Sequence, residues 1–307
     1  MADREIVGLA RSRPTREGAG VSLRRAFGFH DTHHYDPFLL LDDFRGERPE
    51  DYIAGFPWHP HRGIETITYM LEGSVEHGDS MGNAGIIGPG GVQWMTAGAG
   101  IIHQEMPKPG SEGRMGGFQL WANLPAARKM ISPRYQEFPQ EQIPSVDLSD
   151  GVHAVVVCGE LGRVQGPVRQ VEIAPGFFDV SIDAGKEAII PTPPMHRVIA
   201  YVHGGSGIFD HSSDPRSWGI PNSGYTNITK ERTLSEHHLI RFGTGNSIRV
   251  SALGTVPLQF LLIWGCPLGE PVAWGGPIVM NTREELDEAF RQLDAGTFLD
   301  QRESQDD

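Results

Sequence analysis

The sequence predicts an all-β protein made of two β-barrel domains and closed by one helix. Three observations lead there. Thirty-nine glycines, 23 prolines and a charged fraction of only 21% describe a chain of 307 residues that turns often. From Phe38 to Leu124, short apolar or alternating runs recur between Gly, Pro, Asp and Asn, which is the spacing of barrel strands. That pattern pauses at Pro125–Pro144, with further prolines at 133 and 139, and then restarts, so two domains at 1–135 and 145–307 are expected, the helix lying in the second.

In chain order, residues 1–30 mix arginines at 4, 11, 13, 16, 24 and 25 with Asp3, Glu5 and Glu17. They hold no apolar run of signal-peptide length, and no stretch of the chain approaches the roughly 20 apolar residues of a membrane helix. A cytoplasmic protein is expected. Arg24-Arg25 reads as a solvated edge strand or a partner-binding patch. His30, His33 and His34 precede Tyr35-Asp36-Pro37 and read as loop residues. The formal charge of −13 argues against direct binding to nucleic acid or to an anionic membrane, so any link to transcription would run through protein partners. Two cysteines, Cys158 and Cys266, are too few for a disulfide framework.

The chemistry gathers in Gly55-Phe56-Pro57-Trp58-His59-Pro60-His61-Arg62-Gly63-Ile64-Glu65 and the strand-like run that follows it. In an extended strand, side chains two apart point the same way, so His59, His61 and Glu65 are expected to share one face, with Phe56 and Trp58 on the other. After the turns Gly88–Gly91 and Gly98–Gly100, Ile101–Glu105 repeats the device with His103 and Glu105 at i and i+2. Isolated surface or core histidines are the plainer reading of one such pair; two pairs, each preceded by turn glycines, point to a metal site. An imidazole and carboxylate set suits iron, nickel, copper, cobalt or zinc and does not suit calcium or magnesium. Glu65 reads as a ligand, as a hydrogen-bonded partner of one, or as an interior carboxylate steadying an imidazole.

The second β pattern opens at His153–Cys158 and runs to Leu258–Trp264. It reads as a duplicate barrel without the metal. His59, His61 and Glu65 lie fourteen, twelve and eight residues before Gly73, and the same offsets from Gly204 land on Ile190, Thr192 and His196. The polar segment Asp210–Glu236 reads either as a loop over a pocket or as a surface insertion. Thr282-Arg283-Glu284-Glu285 has capping-box spacing, Leu286, Ala289, Phe290 and Leu293 form one apolar stripe, and Gly296 suits the stop, so a helix over 283–295 is expected.

His59-x-His61-x-x-x-Glu65 with Gly73 resembles the first cupin motif, and Gly91 through His103 resembles a degraded second one. Asp36–Phe44, Phe56–Thr66, Gln93–Gly98 and Gly276–Thr282 resemble motifs of the pirin family, covering most of the chain. The resemblance implies a bicupin of two jelly-roll barrels. It implies one divalent transition metal in the first barrel, Fe(II) foremost, with nickel, cobalt, copper, manganese or zinc as alternatives, held by His59, His61, His103 and Glu105 but not by Glu65. Together with likeness to cupin flavonol dioxygenases, it implies ring cleavage of a quercetin-like flavonol by O2, with Glu105 as ligand and catalytic base. Phe56, Trp58, Met70, Met95, Met106, Phe118 and Trp121 are candidates to line the pocket. A redox-sensitive iron regulator acting through protein partners is the alternative, and a metal-dependent isomerase or hydrolase on the same barrel is a third.

Overall fold

A computed structural model describes residues 2–211 and 233–300. Most of the Asp210–Glu236 segment and the tail beyond Asp300 lie outside the described residues.

The chain forms two compact units. One comprises Arg13–Gln142, Val171–Ile173 and the segment from Leu268 onward. Its seven-stranded antiparallel sheet runs, edge to edge, through Arg134–Phe138, Val92–Thr96, Ile64–Glu72, Gly116–Asn123, Phe38–Asp43, Val21–Phe27 and Arg13–Glu17. A four-stranded sheet of Phe56–His61, Ile101–Lys108, Ser74–Asp79 and Ala84–Ile87 accompanies it. Strand Ile101–Lys108 buries every second residue from Ile101 to Pro107, as a strand with one face inward must.

The other unit repeats the pattern of seven strands plus four. The larger sheet starts at Ile6–Arg11 and His238–Phe242 and ends at Ser145–Ser149; the smaller holds Glu187–Pro191, Ser247–Leu253, Ser206–Ile208 and Leu234–Ser235. At the offsets matched to the first barrel's motif, Ile190 is fully buried in the apolar core and Thr192 Oγ1 accepts from Arg4 Nε at 2.8 Å. Neither cysteine is in a disulfide; Cys158 is buried and Cys266 exposed.

The domain limits expected from sequence change in four places, the smallest being Val171–Ile173, which belongs with the first barrel. Residues 1–12 belong with the second barrel, because Ile6–Arg11 extends its sheet beside His238–Phe242. The presumed connector contains strand Arg134–Phe138, paired with Val92–Thr96, and its flanking prolines bracket that edge strand without interrupting it. The segment from Leu268, helix included, belongs with the first barrel. There the Leu268 and Gly269 amides donate to the Asp36 carboxylate at 3.1 and 2.8 Å.

The helix spans Arg283–Asp294 and its capping box forms: the Glu285 amide donates to Thr282 Oγ1 at 3.2 Å and the Thr282 amide to Glu285 Oε2 at 3.0 Å. Its apolar stripe packs Leu286, Ala289, Phe290 and Leu293 with Ile278, Met280 and Phe298. The segment is tied to the loop after His61 by two buried cations. Arg62 donates to the carbonyls of Ala99 and Phe298 at 2.6 and 2.8 Å, and its guanidinium lies 4.1 Å from the Phe298 ring centre. Lys129 Nζ meets three oxygens, Gly63 O at 2.8 Å, Asn123 Oδ1 at 2.5 Å and Val279 O at 2.9 Å, matching the three protons of an ammonium even though burial pushes its pKa down to about 7.

Lys129→Met removes three hydrogen bonds from the interior, Gly63 O keeping only the long contact from the Leu124 amide at 3.4 Å, and is expected to lower unfolding stability by about 3 kcal/mol. Glu285→Ala, which removes the exposed acceptor of the Thr282 and Asn281 amides, is expected to cost about 1 kcal/mol or less. Denaturant midpoints of the two variants check the ordering; equal costs would show that the lysine clamp is not what holds the segment.

Candidate metal centre

His59 and His61 lie on strand Phe56–His61, beside His103 on Ile101–Lys108; His103 is paired with His59, and Ile101 with His61. The ligand nitrogens of the three histidines lie within 4.8 Å of one another, and among the described residues this is the group suited to a metal. His61 and His103 are buried and His59 is half-buried.

The hydrogen bonds determine which nitrogens carry protons. His59 Nδ1 lies 2.9 Å from Pro57 O and His61 Nδ1 lies 3.0 Å from Pro277 O. A carbonyl can only accept, so both Nδ1 atoms are protonated and both Nε2 atoms present lone pairs. Those two Nε2 atoms are 3.1 Å apart. Two lone pairs facing each other at that distance repel unless a cation lies between them and the third imidazole. Both ring nitrogens of His103 are buried without a hydrogen-bond partner. Burial lowers all three pKa values: His61, also facing His59, falls to about 3, and His103 falls well below the usual imidazole range. Neutral at pH 7, the three rings are in the form that binds metal, and a divalent metal fits them.

Glu105 is not in that group of three. It is buried and lines the same cavity as His59 and His61. Burial pushes its carboxyl up to about 7, opposed by a hydrogen bond from Thr68 Oγ1 at 2.9 Å. Thr68 Oγ1 also lies 2.6 Å from Gln119 Oε1. One hydroxyl proton cannot serve both, so with the Gln119 amide turned to donate its nitrogen to Thr68, the Thr68 proton goes to Glu105.

Glu65 does not share a face with the histidines. The chain turns at Arg62-Gly63, with Gly63 at φ +76, and Glu65 lies on a separate strand that begins at Ile64, so residue parity cannot be carried across. Thr68, three residues on, faces the cavity; Glu65 therefore lies on the opposite face of the sheet, where it accepts from Thr96 Oγ1 at 2.7 Å. Phe56 also departs from simple parity. The register slips between the His103–His59 and Glu105–Phe56 pairs, and this bulge brings Phe56 into the cavity lining while Trp58 stays 55% exposed. Of the other candidate lining residues, Trp121 lines the cavity, whereas Met70, Met95 and Phe118 are fully buried. His30, His33 and His34 sit on a short helical turn and are not part of the histidine group. Arg25 forms no free patch: its guanidinium bonds both Asp42 carboxylate oxygens, at 2.8 and 2.7 Å, and Glu17 at 2.8 Å.

Sequence reasoning missed three parts of the site. His77, paired with Glu105, places its ring 5.4 Å from His103 and stacks on Tyr135 at 4.8 Å. Alternation along Ser74–Asp79 could have shown it facing inward. Thr68 and Gln119, paired across neighbouring strands, are polar residues that line the cavity. Trp274, Gly276 and Pro277 come from the far end of the chain to line a cavity of about 740 Å³ that also includes His59, His61 and Glu105.

Two family models match the chain, Pirin over residues 20–122 and Pirin C-terminal cupin domain over residues 177–299. A "Pirin-like protein" of Caulobacter vibrioides is 40% identical, covering 97% of this chain and all of that protein. A Pseudomonas aeruginosa protein provisionally named a quercetin 2,3-dioxygenase is 39% identical, covering 96% of this chain and 98% of its own. The crystal structure of quercetin 2,3-dioxygenase from Acinetobacter baumannii superimposes with a TM-score of 0.82 at 29% identity, covering 97% of this chain and 99% of that one. With the two-barrel cupin architecture and a relative of this identity along nearly its whole length, the chain belongs to the pirin family.

Proposed function

We propose that this protein is a metal-dependent dioxygenase that cleaves flavonols such as quercetin with O2, and that His59, His61, His103 and Glu105 hold its metal, Fe(II) foremost. The observation that carries the reading is a largely buried three-imidazole cluster and an adjacent carboxylate beside one mostly apolar cavity of about 740 Å³. The names of the Pseudomonas and Acinetobacter relatives support the same substrate class. A redox-sensing regulator would need an exchangeable metal but no cavity of this size beside it. Access for a bulky ligand therefore favours catalysis.

When bound, the metal would supply Lewis acidity toward a flavonol hydroxyl and a redox-capable site for O2. The chain's own residues do the rest. Glu105, a buried carboxylate on the cavity wall two residues from His103, is placed to take a hydroxyl proton. Thr68 holds one carboxylate oxygen of Glu105, and Gln119 in turn holds Thr68, which keeps the base aimed. The Pro57 and Pro277 carbonyls keep His59 and His61 in the Nδ1-protonated tautomer with Nε2 free. Leu40, Phe56 and Trp121 exclude water around the reacting group.

After dialysis against a chelator and reloading with Fe(II), His103→Ala is expected to retain less than about a tenth of the wild-type metal by elemental analysis, because two imidazoles and a carboxylate no longer close the shell. Full occupancy in that variant would refute the ligand assignment.

Glu105→Gln separates the base from the metal, since an amide can still coordinate weakly but cannot take the hydroxyl proton. At saturating Fe(II), quercetin-dependent O2 consumption by this variant is expected to fall by roughly 10²-fold or more. Turnover at the wild-type rate, or no O2 consumption by metal-loaded wild type, would sink the dioxygenase reading in favour of the regulator.

A further inference from the structure

Four aromatic rings form a series from the histidine cluster to the outside. The Trp121 indole stands edge-on to the His61 imidazole, with ring centres 5.0 Å apart at 85°. Trp274 follows at 5.8 Å from Trp121, and Phe29 at 5.4 Å from Trp274. Phe29 is 55% exposed, whereas Trp121 and Trp274 are half-buried, and all three line the cavity that holds His59 and His61. Adjacent rings meet at angles of 85°, 38° and 55°, so they form a wall of tilted rings and not a parallel stack.

The outer part of this wall is fixed by backbone contacts. Trp274 belongs to a hairpin in which it pairs with Val279, and its indole Nε1 donates to Gly276 O at 2.7 Å. With its one polar atom satisfied inside the hairpin, the ring offers the cavity apolar surface only. The hairpin is held by the Val279 amide on Arg62 O at 3.1 Å and by Lys129 on Val279 O at 2.9 Å. Trp274 is thus a pre-set face, and little side-chain freedom remains to be lost when a flat ligand lies against it.

We propose that Trp274 is a specificity-determining residue: with Trp121 and Phe29 it binds the aryl ring of a planar ligand whose chelating oxygens sit at the histidine cluster, and so selects fused or joined multi-ring ligands over single-ring ones carrying the same head. This rests on the reading that the cavity takes a metal-chelating aromatic substrate, but not on that substrate being turned over. Its consequence is a division of labour. The head of the ligand is recognised by His59, His61, His103 and Glu105, and its remote ring by the C-terminal hairpin.

The test is equilibrium binding to Fe(II)-loaded, full-length protein under anaerobic conditions, comparing quercetin with a 3-hydroxy-4-pyranone that has the same oxygen pair but no aryl ring. Trp274→Ala is expected to weaken quercetin about ten- to a hundred-fold, the scale of one aromatic contact, and to leave the pyranone within about twofold of wild type. Trp274→Phe is expected to restore most of the quercetin affinity. Equal loss of both ligands, loss of metal from Trp274→Ala, quercetin binding unchanged by that substitution, or wild-type protein that does not bind quercetin would each overturn the proposal. Wild type that binds quercetin with this ring dependence but consumes no O2 would leave it standing while removing the dioxygenase activity.

Discussion

The turn at Arg62-Gly63 is the constraint on which the site depends. It separates the strand carrying His59 and His61 from the core strand Ile64–Glu72, and it receives the C-terminal segment. Gly63 has φ +76, and a Cβ at that position would come within 2.0 Å of Val279 O. Only glycine admits both the backbone conformation and the approach. Because Val279 can come so close, its amide reaches Arg62 O and Lys129 bridges Gly63 O to Val279 O. Pro277, two residues earlier, is thereby placed for its carbonyl to receive the His61 Nδ1 proton.

That hydrogen bond explains how an apolar interior tolerates three imidazoles. Desolvation keeps each ring neutral, and carbonyl acceptors use the Nδ1 protons of two of them. The arrangement leaves lone pairs converging on one point, plus a His103 whose two nitrogens have no partner. An unsatisfied buried nitrogen costs on the order of 1–3 kcal/mol. A fold that aims several such groups at one space is offsetting that cost with a ligand, and a divalent cation is the ligand whose preferences match neutral imidazole nitrogen.

Much of this was legible in the sequence, where local rules apply. Strand runs bounded by Gly and Pro gave the two barrels. The capping box and stripe at Thr282–Leu293 gave the helix, and the paired His-x-His and His-x-Glu spacings gave the histidine cluster. What was not legible depends on register and on contacts distant in sequence. A one-residue bulge on Phe56–His61 redirects Phe56, and a turn at Gly63 takes Glu65 to the far face; alternation read straight through the sequence misassigns both. The edge strand Ile6–Arg11 joins the barrel of residues 143–267, and no local pattern reveals that choice of partner. Gly276–Thr282 carried family resemblance but no visible role. Its role lies in contacts with residues more than 140 positions away, including Lys129 and His61.

The C-terminal hairpin therefore couples two properties that look separable. Pro277 orients a histidine of the cluster, and Trp274, three residues earlier, forms the outer wall of the cavity. Any backbone shift of the hairpin changes both together, because Ala273–Gly275 and Ile278–Met280 are paired and jointly anchored at Arg62 and Lys129. Side-chain replacement at Trp274 removes the indole donor to Gly276 O, but not the pairing of Trp274 with Val279 or the anchors of Val279 at Arg62 and Lys129 that fix the hairpin backbone. In this architecture a change at Gly63, Lys129 or Arg62 reaches the Pro277–His61 hydrogen bond and the Trp274 wall together, whereas a change of the Trp274 ring acts first on the cavity wall.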